Sequence, residues 1–105
     1  MSDRQPEIVE VTKGQTKPRV KEPPMFRVIL FNDDYTTKEF VVEILVLVFH
    51  KSAAEAMALM WQVHRHGSGV AGVYAREIAE TKATTVTTLA RENGFPLKVS
   101  IEPDP

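Results

Sequence analysis

Two short groups of side chains in this 105-residue sequence have the types and spacing of a binding site. The first is the run Asn32-Asp33-Asp34, which offers amide and carboxylate oxygens as hydrogen-bond acceptors. The second is Met60, Val63 and His64, whose spacings of three and four residues place apolar atoms and one imidazole on one helix face. Each group also has a structural explanation, because such turns cap nearby backbone groups and such helix faces usually pack in a core. Spacing alone leaves both explanations open.

Three other kinds of chemistry lack the residues they need. A nucleotide-binding glycine pattern at 67–72 runs from a predicted helix into a predicted strand, whereas a pyrophosphate site needs the opposite order. His64 and His66 lack the four-residue spacing of a helical metal pair, and no cysteine is present to complete a zinc site. No serine belongs to a recognisable set of nucleophile, base and orienting group. We therefore expect no cofactor, no metal and no enzymatic activity.

Charge and hydropathy exclude further classes of protein. Thirteen Lys plus Arg residues against fourteen Asp plus Glu give a net charge of -1, without the basic excess typical of nucleic-acid binding. The longest uncharged apolar stretch, Ile44 to Phe49, is far shorter than the roughly 18 residues of a membrane span. The first ten residues carry four charges and no apolar block, so we expect no signal peptide. These observations predict a cytoplasmic domain that binds neither nucleic acid nor membrane.

A change in composition near Pro24 divides the chain. Residues 1–24 contain four of the seven prolines and nine charges, and they have only one short apolar cluster. Such a stretch cannot bury enough apolar surface to offset the entropy that is lost on ordering it. We therefore predict a flexible N-terminal extension over residues 1–24 and a folded core over residues 25–105.

Hydrophobic patterning and turn residues predict six elements in the order β-α-α-β-α-β. These are a strand over Met25–Phe31, a helix after Thr36, a helix from Ser52 to His66, a strand over Val70–Tyr74, a helix over Ala75–Asn93 and a strand over Leu97–Ile101. Capping boxes that begin at Thr36 and Ser52 indicate the starts of the first two helices, and Gly94 indicates the end of the third. The apolar run over 41–49 could be a buried strand or a helix, although its length and the capping box favour a helix. The order predicts an α+β domain with a small sheet and helices on one face.

Several of these segments together resemble the ClpS family of ATP-dependent Clp protease adaptor proteins. The resemblance is carried by Val28 to Thr36 (VILFNDDYT), Glu39 to Val41, Met60 to His64, Ala79 to Lys82 (AETK), Ala90 to Asn93 and Pro96-Leu97. It covers about residues 25–102 in unbroken order. It implies a three-stranded antiparallel sheet packed against three helices, in which the 41–49 run is helical.

The resemblance also implies a function. ClpS-like adaptors bind N-degron substrates through the free α-amino group and a bulky apolar first side chain (Leu, Phe, Tyr or Trp), and deliver them to the ClpAP unfoldase–protease. By resemblance, the α-amino group would be bound by Asn32, Asp33 and His64. The pocket for the first side chain would be lined by Thr36, Val41, Met60, Val63 and Leu97. The N-terminal domain of the ClpA unfoldase would be contacted by Glu77 and Lys82, and residues 1–24 would serve delivery.

The chemistry of these residues agrees with those roles. A protonated amine donates up to three hydrogen bonds and accepts none, so its binding site must supply acceptors.

Lys38 occupies a position where family members commonly have a methionine that narrows the pocket, which leaves selectivity against Ile and Val open. The alternative function is that of a protein-interaction domain which does not read free N-termini.

Overall fold

The computed structural model describes residues 23–105, which form three strands and three helices. In chain order they are β1 (Met25–Phe31), α1 (Lys38–Leu47), α2 (Ala53–His66), β2 (Ser68–Ala75), α3 (Arg76–Glu92) and β3 (Lys98–Pro103). This order and the antiparallel pairing of the strands confirm the predicted α+β fold. The predicted flexible extension lies outside the described residues except for Pro23 and Pro24, so it stays a prediction, as does the boundary of the folded core.

The sheet is arranged so that the end of β1 lies beside the end of α2. Strand β1 is central in the order β2-β1-β3, and its Val28 and Leu30 are fully buried. The last residue of β1, Phe31, pairs with Ser68 at the start of β2. Because β2 follows α2 after a single residue, this register brings the turn that leaves β1 to the C-terminal end of α2.

The apolar run over 41–49 forms most of α1 rather than a strand. Ile44 and Leu45 are buried in the core, whereas Leu47 is 62% exposed. A helix produces this pattern because side chains two residues apart point about 200° apart around its axis. A strand would have placed Leu45 and Leu47 on the same face.

Helix α1 begins one residue later than its sequence pattern predicts. Its N-cap is Thr37, whose side-chain oxygen accepts a hydrogen bond from the backbone N–H of Phe40 at 3.1 Å. The predicted capping box beginning at Thr36 is therefore wrong. The physical reason is a competing partner, since the hydroxyl of Thr36 donates a hydrogen bond to Asp33 in the preceding turn.

The predicted signals at both ends of α2 are confirmed. The hydroxyl of Ser52 accepts a hydrogen bond from the backbone N–H of Glu55 at 3.1 Å, and the Glu55 carboxylate accepts one from the backbone N–H of Ser52 at 3.0 Å. At the other end, Gly67 adopts a left-handed φ of 91° and its N–H donates to the carbonyl of Val63. The glycine pattern thus leads from a helix into a strand.

Helix α3 covers the sheet with small side chains. Ala79, Val86 and Ala90 are fully buried, whereas Ala83, one turn after Ala79, is only partly buried. Gly94 follows the helix with a φ of 78°, as expected of a residue that ends a helix. Within residues 23–105, every helix is too short or too polar to span a membrane.

Candidate functional site

The turn that follows β1 is organised by the carboxylate of Asp33. Its Oδ1 accepts hydrogen bonds from the backbone N–H groups of Tyr35 at 2.8 Å and Thr36 at 2.7 Å. Its Oδ2 accepts a hydrogen bond from the Thr36 hydroxyl at 2.8 Å. Aspartate favours such turns because its short side chain can reach backbone donors two and three residues further on. These contacts fix the path of the chain from Asn32 to the start of α1.

Asp33 remains ionised in this turn at neutral pH. Burial raises the pKa of its carboxyl, but the hydrogen bonds from Thr36 and Tyr35, helped by the charge of Arg91, outweigh burial and lower the pKa below its ordinary value. An ionised carboxylate has about four acceptor positions, of which the turn occupies three. Asp33 can therefore hold the turn and still accept a hydrogen bond from a cation.

The second predicted group lies on α2, next to this turn. Met60 and Val63 are 4% and 2% exposed, while His64 beside them is exposed to solvent. The backbone N–H of Asn32 donates a hydrogen bond to the carbonyl of Gly67 at 2.9 Å. That bond ties the turn to the end of α2 and brings together two groups that are far apart in the sequence.

A cavity of about 450 Å³ lies between the turn, the start of α1 and α2, and we call it the turn–helix cavity. Its wall contains seven of the eight residues predicted to bind the first residue of a substrate, namely Asn32, Asp33, Thr36, Val41, Met60, Val63 and His64. The structure thus brings these seven residues together, and their roles toward a ligand stay predictions.

Leu97 is the residue of the predicted set that the structure does not bring to the cavity wall. Its side chain is 1% exposed and packs in the core just before β3. It is absent from the residues that line the turn–helix cavity. Leu97 is therefore a core residue in this structure, and its contact with a ligand stays a prediction.

Part of the cavity wall lies outside the eight residues predicted to bind the first residue of a substrate, although Asp34 and Lys38 had been singled out from the sequence. It consists of Asp34, Tyr35, Thr37, Lys38 and Glu39. All five lie in the turn or the first turn of α1, directly beside residues that had been identified. Their position next to predicted residues could have identified them, because a turn that contributes one side chain to a cavity also brings its sequence neighbours close to that cavity. Lys38 is part of the wall, and its Nζ lies 5.8 Å from the centre of the Trp61 ring.

The arrangement suits a ligand with a cationic head and an apolar body. The acceptors are the amide oxygen of Asn32, the carboxylate of Asp33 and an unprotonated ring nitrogen of His64. Aliphatic and thioether side chains form the apolar part of the wall. In residues 23–105, no group of three or more His, Cys, Asp or Glu side chains is placed to hold a metal ion. The cavity therefore has the character of a binding site for an organic cation.

The two residues predicted to dock on an unfoldase lie on α3 in different surroundings. Glu77 is exposed in the first turn of the helix. Lys82 is partly buried, and its Nζ donates a hydrogen bond to the carbonyl of Val48, the C-cap of α1, at 2.7 Å. Because α1 has no basic residue in its own last turn, Lys82 supplies the cation that stabilises this helix end. Lys82 thus has a structural contact in addition to its predicted docking role.

The sequence is similar to known proteins over most of its length. Residues 21–100 match the family model described as "ATP-dependent Clp protease adaptor protein ClpS". The ATP-dependent Clp protease adapter protein ClpS of Desulforapulum autotrophicum is 51% identical over 102 residues, covering 97% of this chain and 98% of the relative. The protein of the same name from Desulfatibacillum aliphaticivorans is 56% identical over 86 residues, covering 82% of this chain and 83% of the relative.

The fold is also similar to that of a solved structure, Agrobacterium tumefaciens ClpS2 bound to L-phenylalaninamide. The two chains superpose with a TM-score of 0.76 at 46% sequence identity, over 79% of this chain and 100% of the other. The range matched by the family model includes every residue that lines the turn–helix cavity.

Proposed function

Because the chain belongs to the ClpS family of ATP-dependent Clp protease adaptor proteins, which are adaptors and not enzymes, we propose that its turn–helix cavity binds the first residue of substrate proteins. The free α-amino group of the substrate binds to Asn32, Asp33 and His64, and the first side chain enters the apolar part of the cavity. The adaptor acts in the cytoplasm and delivers these N-degron substrates to the ClpAP unfoldase–protease.

The observation that carries this proposal is the meeting of hydrogen-bond acceptors and apolar side chains in one cavity of about 450 Å³. An α-ammonium group needs acceptors, and a bulky apolar side chain beside it needs a surface that excludes water. The solved ClpS2 supports the proposal, because its ligand L-phenylalaninamide carries both a free amino group and an aromatic side chain.

The expected affinity follows from the groups that meet in the cavity. Each charge-assisted hydrogen bond contributes about 1.5–3 kcal/mol, and burial of a Leu or Phe side chain contributes about 1.5–3 kcal/mol. Loss of translational and rotational freedom opposes binding by several kcal/mol. The balance is no more favourable than roughly -8 kcal/mol, which corresponds to a micromolar or weaker Kd. An adaptor that must release its substrate to an unfoldase needs an affinity of this moderate size.

The proposal predicts strong selection for the first side chain. We expect peptides that begin with Leu, Phe, Tyr or Trp to bind at least roughly a hundredfold more tightly than peptides that begin with Asp or Lys. A charged side chain would lose its water at the apolar wall formed by Val41, Met60 and Val63 without gaining a partner. Fluorescence anisotropy of peptides that differ only in the first residue measures this selection. Equal affinity across the panel would contradict the proposal and favour a plain interaction domain.

Delivery to the unfoldase is predicted to depend on Glu77 rather than on the cavity. Glu77→Lys is expected to weaken binding to the N-terminal domain of ClpA roughly tenfold, because a charge at an interface rim steers association. The Kd for a Phe-led peptide should stay the same, since Glu77 lies outside the turn–helix cavity. Surface plasmon resonance with both ligands measures the two effects on one preparation.

The matched control for that variant is Glu92→Lys, which makes the same change in charge at the other, exposed end of α3. Loss of ClpA binding in both variants would point to net charge and contradict a specific contact at Glu77. Charge reversal at Lys82 is a poorer test, because it also removes the hydrogen bond that holds the end of α1.

A further inference from the structure

A second cavity lies directly against the turn–helix cavity. It measures about 350 Å³ and is lined by Lys38, Glu39, Val42, Met57, Met60 and Trp61, and we call it the Trp61 groove. Four of these six side chains are apolar. Neither Met57 nor Trp61 was identified from the sequence as part of a site. Val42, Met57 and Trp61 line the groove but not the turn–helix cavity, so the proposed binding of a first residue does not account for them.

The two cavities are adjacent. Both are lined by Met60, Lys38 and Glu39, so these side chains lie between one cavity and the other. Met60 itself is 4% exposed, so neighbouring side chains cover most of its surface. A ligand seated in the turn–helix cavity therefore lies close to the Trp61 groove.

The Trp61 groove exposes apolar surface to solvent. Met57 is 49% exposed and Trp61 is 38% exposed. The Trp61 ring has three neighbours: the Lys38 ammonium lies 5.8 Å and the Arg65 guanidinium 5.3 Å from its centre, and the centre of the His64 ring lies 5.7 Å away in an edge-on arrangement. These contacts orient the ring and leave part of it open to solvent. A preoriented aromatic ring beside a flexible methionine is a favourable surface for an apolar side chain.

We propose that the Trp61 groove binds the side chain of the third residue of the substrate and prefers an apolar one. The inference rests on the proposed function, in which the first side chain occupies the turn–helix cavity. In an extended chain, side chains alternate between faces, so the first and third residues face the same surface about 6.4–6.8 Å apart. Two adjacent cavities on one surface suit this alternation, in which the second residue faces away from the protein.

Three peptides test the position and the chemistry together. They are Phe-Gly-Leu-Gly-Gly, Phe-Gly-Ser-Gly-Gly and Phe-Leu-Gly-Gly-Gly, and isothermal calorimetry with the full chain gives their Kd values. We expect Leu at the third position to bind roughly five- to tenfold more tightly than Ser, the gain for moving about half of a leucine side chain out of water. Leu at the second position should bind like the Ser peptide. Equal affinity of all three peptides, or a gain at the second position, would overturn the proposal.

Two variants separate the groove from general effects on the helices. Met57→Ala removes part of the groove wall and should abolish the preference for Leu at the third position while leaving the Ser peptide unchanged. Leu47→Ala is the matched control, because it also truncates an exposed apolar side chain on a helix but lies outside both cavities. A preference that survives Met57→Ala, or that is lost in both variants, would assign it to another surface.

Trp61 provides a direct signal, because it is the only tryptophan in the chain. Its emission should shift to shorter wavelength with the peptide that has Leu at the third position, and less with the Ser peptide. Identical shifts would place the third side chain away from the groove. An emission that changes with protein concentration alone would show that a second copy occupies the groove and would overturn the proposal.

Free-amine peptides that bind without a third-position preference would overturn this inference only, whereas no binding by any Phe-led peptide would overturn the proposed function as well.

Discussion

Acetylation of the α-amino group of a Phe-led peptide is expected to lower its affinity for this protein by at least roughly a hundredfold. Acetylation removes the positive charge and two of the three donors that Asn32, Asp33 and His64 would bind. Loss of one or two charge-assisted hydrogen bonds at about 1.5–3 kcal/mol each gives a change of this size. The acetyl group also places a carbonyl oxygen opposite the Asp33 carboxylate, where two acceptors repel each other. Anisotropy titration of the two labelled peptides measures the difference.

Side-chain variants show which acceptors are responsible. Asn32→Ala and His64→Ala should each weaken binding of the free-amine peptide about tenfold and leave the weak binding of the acetylated peptide unchanged. His66→Ala is the matched control, because this second imidazole lies on the same helix, is exposed, and does not line the turn–helix cavity. Equal binding of acetylated and free peptides by the unmodified protein would sink the proposed function outright.

Leu45→Ala is expected to destabilise the protein by about 2–5 kcal/mol, whereas Leu47→Ala should change its stability by no more than about 0.5 kcal/mol. Leu45 has no exposed surface, so its truncation leaves a cavity in the core, while Leu47 is 62% exposed. A domain of this size has a total stability on the order of 5–10 kcal/mol, so the first variant should lose a large part of it. Urea unfolding followed by Trp61 fluorescence gives both free energies.

This pair also tests the conformation of the 41–49 run. The two positions carry the same residue type and are two residues apart, so a strand would place both on one face and make both truncations costly. A helix separates them by about 200° and makes only one of them costly. Similar losses of stability in the two variants would contradict the helix α1.

Local sequence signals were enough to predict most of the fold. The box at Ser52 and Glu55 and the glycines at 67 and 94 act within a few residues, and the structure confirms all of them. The start of α1 could not be located in the same way, because Thr36 and Thr37 are both competent N-caps. The choice depends on Asp33, whose carboxylate engages the hydroxyl of Thr36 and leaves Thr37 to cap the helix. Competition for one hydroxyl depends on three-dimensional geometry and leaves no pattern in the sequence.

The candidate site was predictable to a similar degree. The residue types of Asn32, Asp33 and His64 indicated acceptors, and resemblance to a family assembled them with the apolar residues of the cavity. Two features depend on distant packing and were not foreseen. Leu97 lies in the core behind the cavity, and Lys82 reaches from α3 to the end of α1. Contacts of this kind join residues far apart in the chain, and a single sequence carries little information about them.

The position of Met60 has a consequence for how the preferences at two peptide positions combine. The thioether side chain of Met60 forms a partition between the turn–helix cavity and the Trp61 groove. A methionine side chain is flexible enough to shift toward either one. Under the two binding proposals, we expect a wide first residue to displace the Met60 side chain toward the adjoining space and a narrow one to leave more room there. The contributions of the first and third residues to the free energy of binding would then be non-additive. Preferences measured one position at a time would in that case misjudge substrates that vary at both positions.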